Sequence, residues 1–131
     1  MRKIAMALLL LVMSAGASAE WVKVASSDDG NITYYADPAT IRKVGDKVRV
    51  WTLTDYKTSN VAGGDQQYLS TKVQEEFDCA KETARHLNLS AFSGNMGAGK
   101  EVGREKNPAK WHPVVHESIG EDVWKFACGK T

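Results

Sequence analysis

The eight residues from Gly94 to Glu101, GNMGAGKE, come within one position of the phosphate-cradling loop G-x-x-x-x-G-K-[ST], with glutamate in place of the final hydroxyl residue. Such a loop holds phosphate because it follows a buried strand and opens a helix whose first N–H groups face the anion. Here the preceding LNLSAFS alternates as a half-exposed strand, and the following EVGREKNPAK carries Gly103 and Pro108 and makes a poor helix. Glu101 stands where a hydroxyl would ligate magnesium, and its charge repels phosphate. The expectation is a glycine turn between strands, with no bound nucleotide.

His112 and His116 in WHPVVHE are four apart, with Glu117 beside the second. On a helix that spacing presents two ligands to one metal ion. Pro113 and the Val114-Val115 pair favour extended chain instead, in which positions four apart lie roughly 13 Å distant. The third histidine, His86, alternates onto the wet face of its strand, so no metal site is expected. Asp28-Asp29 and Glu75-Glu76 are adjacent carboxylates. Neighbours in a strand point to opposite faces, so Glu75 and Glu76 cannot share a proton as one acid–base pair. They are expected to be solubilising charge on an edge strand, with Glu75 on the same face as Val73 and Phe77. No GxSxG elbow is present to make a serine nucleophile. Lys100, Arg104, Lys106 and Lys110 form a basic stretch, read as a solvated loop and as the candidate ligand-binding patch. Four tryptophans, Trp21, Trp51, Trp111 and Trp124, are expected in core and rim packing. No catalytic residue and no cofactor are expected.

Cys79 and Cys128 are the two cysteines, and their setting depends on the N-terminus. Arg2 and Lys3 precede a ten-residue apolar run, Ile4 to Met13, and Ala17-Ser18-Ala19 fits the A-x-A pattern of signal-peptidase cleavage. The run is too short for a membrane anchor, which needs about 20 residues. Residues 1–19 are therefore read as a signal peptide and 20–131 as one exported domain. No cysteine follows the cleavage point, so no lipid anchor is expected. In an oxidising compartment an even pair of cysteines reads as one disulfide, Cys79–Cys128, closing a loop of 49 residues. Chain entropy alone makes such a bridge worth up to about 4 kcal/mol. Loss of Arg2 and Lys3 takes the formal charge from +1 to −1, a balance that argues against nucleic acid as a partner.

The elements that must position these residues are mostly strands. EWVKVAS and NITYYA flank Asp28-Asp29-Gly30 as a hairpin, and Asp37-Pro38 suits a capped single turn. IRKV and the long KVRVWTLTDYK are split by Gly45-Asp46. In the latter, Val48, Val50, Thr52 and Thr54 alternate against Arg49, Trp51, Leu53 and Asp55. YLSTKVQEEFDCA places Leu69, Thr71, Val73, Phe77 and Cys79 on one face. ETARHLNLSAFS sets Arg85, Leu87, Leu89 and Ala91 against His86, Asn88, Ser90 and Phe92. These six strands, without intervening helices, predict a meander-like antiparallel sheet. Ser118-Ile119-Gly120-Glu121 is a capping box opening a helix over 118–128, with Val123, Trp124, Ala127 and Cys128 on its apolar stripe and Gly129 as its stop. Because Cys79 lies in line with Phe77, the disulfide is expected to tie this helix to the core face of the sheet.

The stretches ITYYADPATIRK, VRVWTLTDYK, EEFDCA, MGAGKEV, WHPV and the closing WKFACGK, in that order, resemble the surface-adhesin protein E family of Gram-negative bacteria over essentially all of residues 20–131. The resemblance implies a mainly β (α+β) fold: a single antiparallel sheet of about six strands, with the C-terminal helix disulfide-tethered to its concave face. It implies a non-enzymatic binding module that engages host extracellular-matrix or serum proteins and can form a homodimer. The alternative is a periplasmic, envelope-associated structural protein with no host ligand. Location is accordingly expected in the periplasm or at the cell surface.

Overall fold

In the computed structural model, residues 20–129 are described; the expected signal peptide at 1–19 lies outside them. Among the described residues the strands are β1 (Val22–Ser26), β2 (Ile32–Ala36), β3 (Arg42–Val44), β4 (Lys47–Val61), β5 (Gln67–Asp78), β6 (Thr83–Phe92), β7 (Glu101–Glu105) and β8 (His112–Pro113), and the α-helix α1 spans Ile119–Cys128. They form a single antiparallel sheet in the order β1-β2-β4-β5-β6-β7, with β3 paired to β4 and β8 to β6. The first six strands are those legible in the sequence, and β7 and β8 are additions.

Local chemistry sets each corner. In the β1–β2 turn the Asp29 carboxylate accepts from Ser27 Oγ at 2.7 Å and from Asn31 N at 3.0 Å, while Gly30 takes φ 73°. Asp37 caps the turn Pro38–Thr40 by accepting from Ala39 N at 3.0 Å, and Pro38 needs no donor there. β5 takes one edge of β4 from Val48 to Asp55, so β2 and β3 follow one another along the other edge.

The helix lies on the face formed by Val48, Val50, Phe77, Ala84 and Ala36, into which it buries Val123 and Ala127. Cys79 and Cys128 are bonded, with Cα atoms 5.8 Å apart, and fasten its last turn to the end of β5. Ser118 Oγ accepts from Glu121 N at 3.2 Å, as the capping box requires. Glu121 reaches back one residue further than the box predicts, to Glu117 N at 3.4 Å, and its other oxygen lies 2.6 Å from His116 Nδ1. Gly129 ends the helix at φ −70°, without turning left-handed.

The helix is short, and it covers one end of this concave face. The other end, beyond Thr52 and Val73, is left open.

Two expectations about faces are corrected. β5 lies between β4 and β6 and is no edge strand. Glu76 is 3% exposed on the convex face, where Arg49 Nε and Arg85 Nη2 donate to its two oxygens at 2.7 and 2.8 Å. Both carboxylates of Glu75-Glu76 are thus at the sheet's centre, on opposite faces. The second correction concerns β6. Gln74 faces Asn88 but Glu75 faces His86, which leaves Leu87 as an extra residue. This bulge inverts the alternation upstream of it. His86 therefore lies on the concave face with Leu89 and Ala91, and Arg85 on the convex face, the reverse of a strict period of two.

Candidate functional site

The open end of the concave face is a cleft of about 610 Å³, within the size range of small-molecule sites. Its floor is Thr52, Thr54, Thr71 and Val73, from the two central strands. Tyr34, Tyr56 and Tyr68 stand on one side, and Leu89 and Ala91 on the other. Ile119, Gly120 and Val123 of α1 close the end nearest the core. The placement follows from register: Tyr34 faces Thr54 across β2–β4, Thr54 faces Thr71, and Thr71 faces Ala91. Paired residues share a face, so one row of the sheet carries ring, hydroxyl, hydroxyl and methyl. Tyr56 and Tyr68 meet edge to face, with centroids 5.8 Å apart.

The charged groups of the cleft are few. Glu75 projects from the middle of the floor with 18% of its side chain exposed, and His86 Nε2 lies 3.4 Å from its Oε1. Hydrogen bonding to Glu75 raises the His86 pKa; burial opposes the shift, and the charges of Glu75 and Glu105 add to it. Burial, then the Glu75 charge, raises the Tyr34 hydroxyl. Glu105 pairs with Leu89 and so shares the concave face. Arg104 pairs with Ser90, one pleat over, and its guanidinium is clamped by Glu101 at 2.7 Å to each oxygen.

The basic patch is spread along one side of the molecule. Glu101–Glu105 is an edge strand, β7, where a loop was expected. Lys100, Arg104, Lys106 and Lys110 are all exposed. Lys100 lies beside Phe92, whereas Ala109 N donates to His86 O at 2.8 Å, so Lys110 sits about 20 Å further along β6. Arg104 already holds a carboxylate.

The GNMGAGKE stretch turns back over the convex face. Met96, Gly97 and Gly99 have φ of 55°, 73° and 80°. Met96 N and Asn95 Nδ2 donate to Asp55 Oδ1 at 2.8 and 3.1 Å, and Gly97 N donates to Ser70 Oγ at 2.8 Å. The anion facing these amides is the protein's own aspartate, and Leu53 beneath is fully buried. His112 pairs with Ala84 in β8, while His116 is held by Glu121. Among the described residues no group of three or more His, Cys, Asp or Glu is placed to hold a metal ion. The Arg85 guanidinium lies over the Trp111 ring, 4.7 Å from its centroid.

The cleft was missed in the sequence because its tyrosines and threonines look like ordinary strand residues. One signal was present: apolar parity breaks between Ala84 and Leu87, which marks the bulge that brings His86 to Glu75.

Fold and site together define a class of small domain, an open antiparallel sheet half covered by a disulfide-tethered helix. Residues 21–129 match the surface-adhesin protein E family, and the chain belongs to it. Among solved structures, Haemophilus influenzae protein E superposes with TM-score 0.64 at 12% identity, covering 82% of this chain and 87% of that one. Protein E from non-typeable Haemophilus influenzae does so with TM-score 0.60 at 15% identity, covering 83% and 84%. At these identities the likeness is one of fold. No curated protein matches the chain.

Proposed function

We propose that the protein is an exported, non-enzymatic binding module of the adhesin type, which engages a protein partner. Membership of the surface-adhesin protein E family over residues 21–129 is the observation that carries this reading. The fold agrees with it, since an open sheet offers a rigid surface on which contact residues need no rearrangement. Host extracellular-matrix or serum proteins are the partner class, and the exposed Lys100, Arg104, Lys106 and Lys110 are the proposed contact patch. The domain is residues 20–131, released by cleavage after Ala19.

Solid-phase binding of the oxidised protein to a panel of matrix and serum proteins tests the reading. Saturable binding is expected, weakened when Lys100, Lys106 and Lys110 are changed to glutamate together. An absence of saturable binding across the panel, with the mature chain confined to the periplasm on fractionation, would leave the envelope-associated structural role in its place.

A further inference from the structure

We propose that the concave cleft is a binding site for a small organic cation, an ammonium-bearing molecule whose charge sits against Glu75 and whose body lies against Tyr34, Tyr56 and Tyr68. The site is independent of the protein-partner reading, which concerns the outer surface.

The contrast between two neighbouring carboxylates carries the inference. Glu76 is saturated on the convex face by two guanidinium donors at 2.7 and 2.8 Å. Glu75, one residue before it, faces the cleft with a single ring nitrogen at 3.4 Å. That is long for a charge-assisted bond, ordinarily 2.7–2.9 Å, and an ionised carboxylate accepts at about four lone-pair positions. A half-buried carboxylate with spare acceptor capacity favours a ligand that brings its own positive charge.

The rest of the lining agrees in sign. Glu105 adds a second negative charge on the same face. Arg104, the one guanidinium bordering the cleft, is turned to the other face and neutralised by Glu101. Among the described residues lining the cleft, His86 is the other group that can be cationic, and it is charged only when protonated. Tyrosine rings present negative faces, which attract ammonium groups most strongly where water is displaced. Threonine hydroxyls on the floor accept from N–H donors that do not reach Glu75. A volume of about 610 Å³ admits a drug-sized molecule and is too small for a folded partner.

The test uses the oxidised protein, with choline, phenethylammonium, the uncharged choline isostere 3,3-dimethylbutan-1-ol, and glucose as probes. Amide chemical shifts are followed by NMR. Choline or phenethylammonium is expected to move the resonances of Thr52, Thr71, Val73 and Glu75 saturably, with the alcohol and glucose at least about tenfold weaker. Glu75→Gln should weaken the cations by about tenfold or more, and Tyr56→Leu by about fivefold. His86→Ala should tighten binding, because it removes the competing partner. Asp28→Asn, exposed in the β1–β2 turn and outside the cleft lining, should leave it unchanged. Equal affinity for choline and its alcohol overturns the proposal. So does preferential binding of glucose, shifts that map outside the cleft, or no saturable shift up to about 50 mM of either cation. If Glu75→Gln fails to fold, as seen from collapsed spectral dispersion, the alcohol comparison on the unaltered protein decides the matter.

Discussion

Two glutamates side by side in the chain have opposite fates, and each gives a measurable pH dependence. Burial raises the Glu76 carboxyl, but hydrogen bonds and charge from Arg49 and Arg85 outweigh it, so its pKa is lowered overall. A depressed carboxylate contributes stability above its unfolded pKa of about 4.3, and the contribution is lost as pH falls through the lower folded value. Melting temperature should therefore drop in acid, beginning near pH 4, and Glu76→Gln should flatten that slope as measured by calorimetry. At neutral pH the same substitution leaves two arginines facing an amide, at a cost of about 2–3 kcal/mol, since both arginines keep partial access to water. His86 behaves in the reverse sense. Its raised pKa contributes stability below about pH 6.5, lost as pH rises through the folded value. An NMR titration should place the His86 midpoint above the ordinary histidine value of about 6.5, and Glu75→Gln should bring it down. An unmoved midpoint would break the link between the two residues.

At the scale of elements, the helix is held by a cap, two buried side chains and a disulfide, and these can be removed one at a time. Ser118→Ala should cost about 1 kcal/mol by denaturant unfolding. Cys128→Ser should cost more, up to about 4 kcal/mol, together with exposure of the Val123 and Ala127 surface. Unchanged melting relative to the oxidised parent would refute the tether. Phe77→Ala, under the helix at 2% exposure, should cost about 3–5 kcal/mol. The strands β1 to β6, the capped turn at Asp37 and the helix with its serine cap were all legible, because alternation, turn residues and caps are local signals. β7 and β8 were not. Glu101–Glu105 carries Gly103 and three charged residues, and its extended form comes from pairing with β6, which its own composition does not encode. The bulge at Leu87 left only the parity break between Ala84 and Leu87 as its trace, since one added residue changes no composition and yet moves His86 from one face to the other. The cleft depended on that bulge and on the shortness of α1, and both are tertiary facts.

Across the described residues as a whole, the short helix α1 leaves part of the sheet's face to the cleft, whose recessed floor carries Thr52, Thr54 and Thr71 where the part under the helix has Val48, Val50 and Phe77. Threonine keeps the branched shape that suits a strand while leaving the surface wettable. The glycine turn over the convex face makes the opposite use of polarity, spending Asp55 and Ser70 on the chain's own amides to seal Leu53. The disulfide has a consequence in time as well as in energy. It joins the end of β5 to the last turn of α1, so it cannot form until both have been synthesised, and it forms only where thiols are oxidised. While Cys79 and Cys128 remain reduced, α1 is held to the sheet by its packing alone, chiefly Val123 and Ala127. On the proposed export, oxidation beyond the membrane is then the step that closes the 49-residue loop and completes the fold.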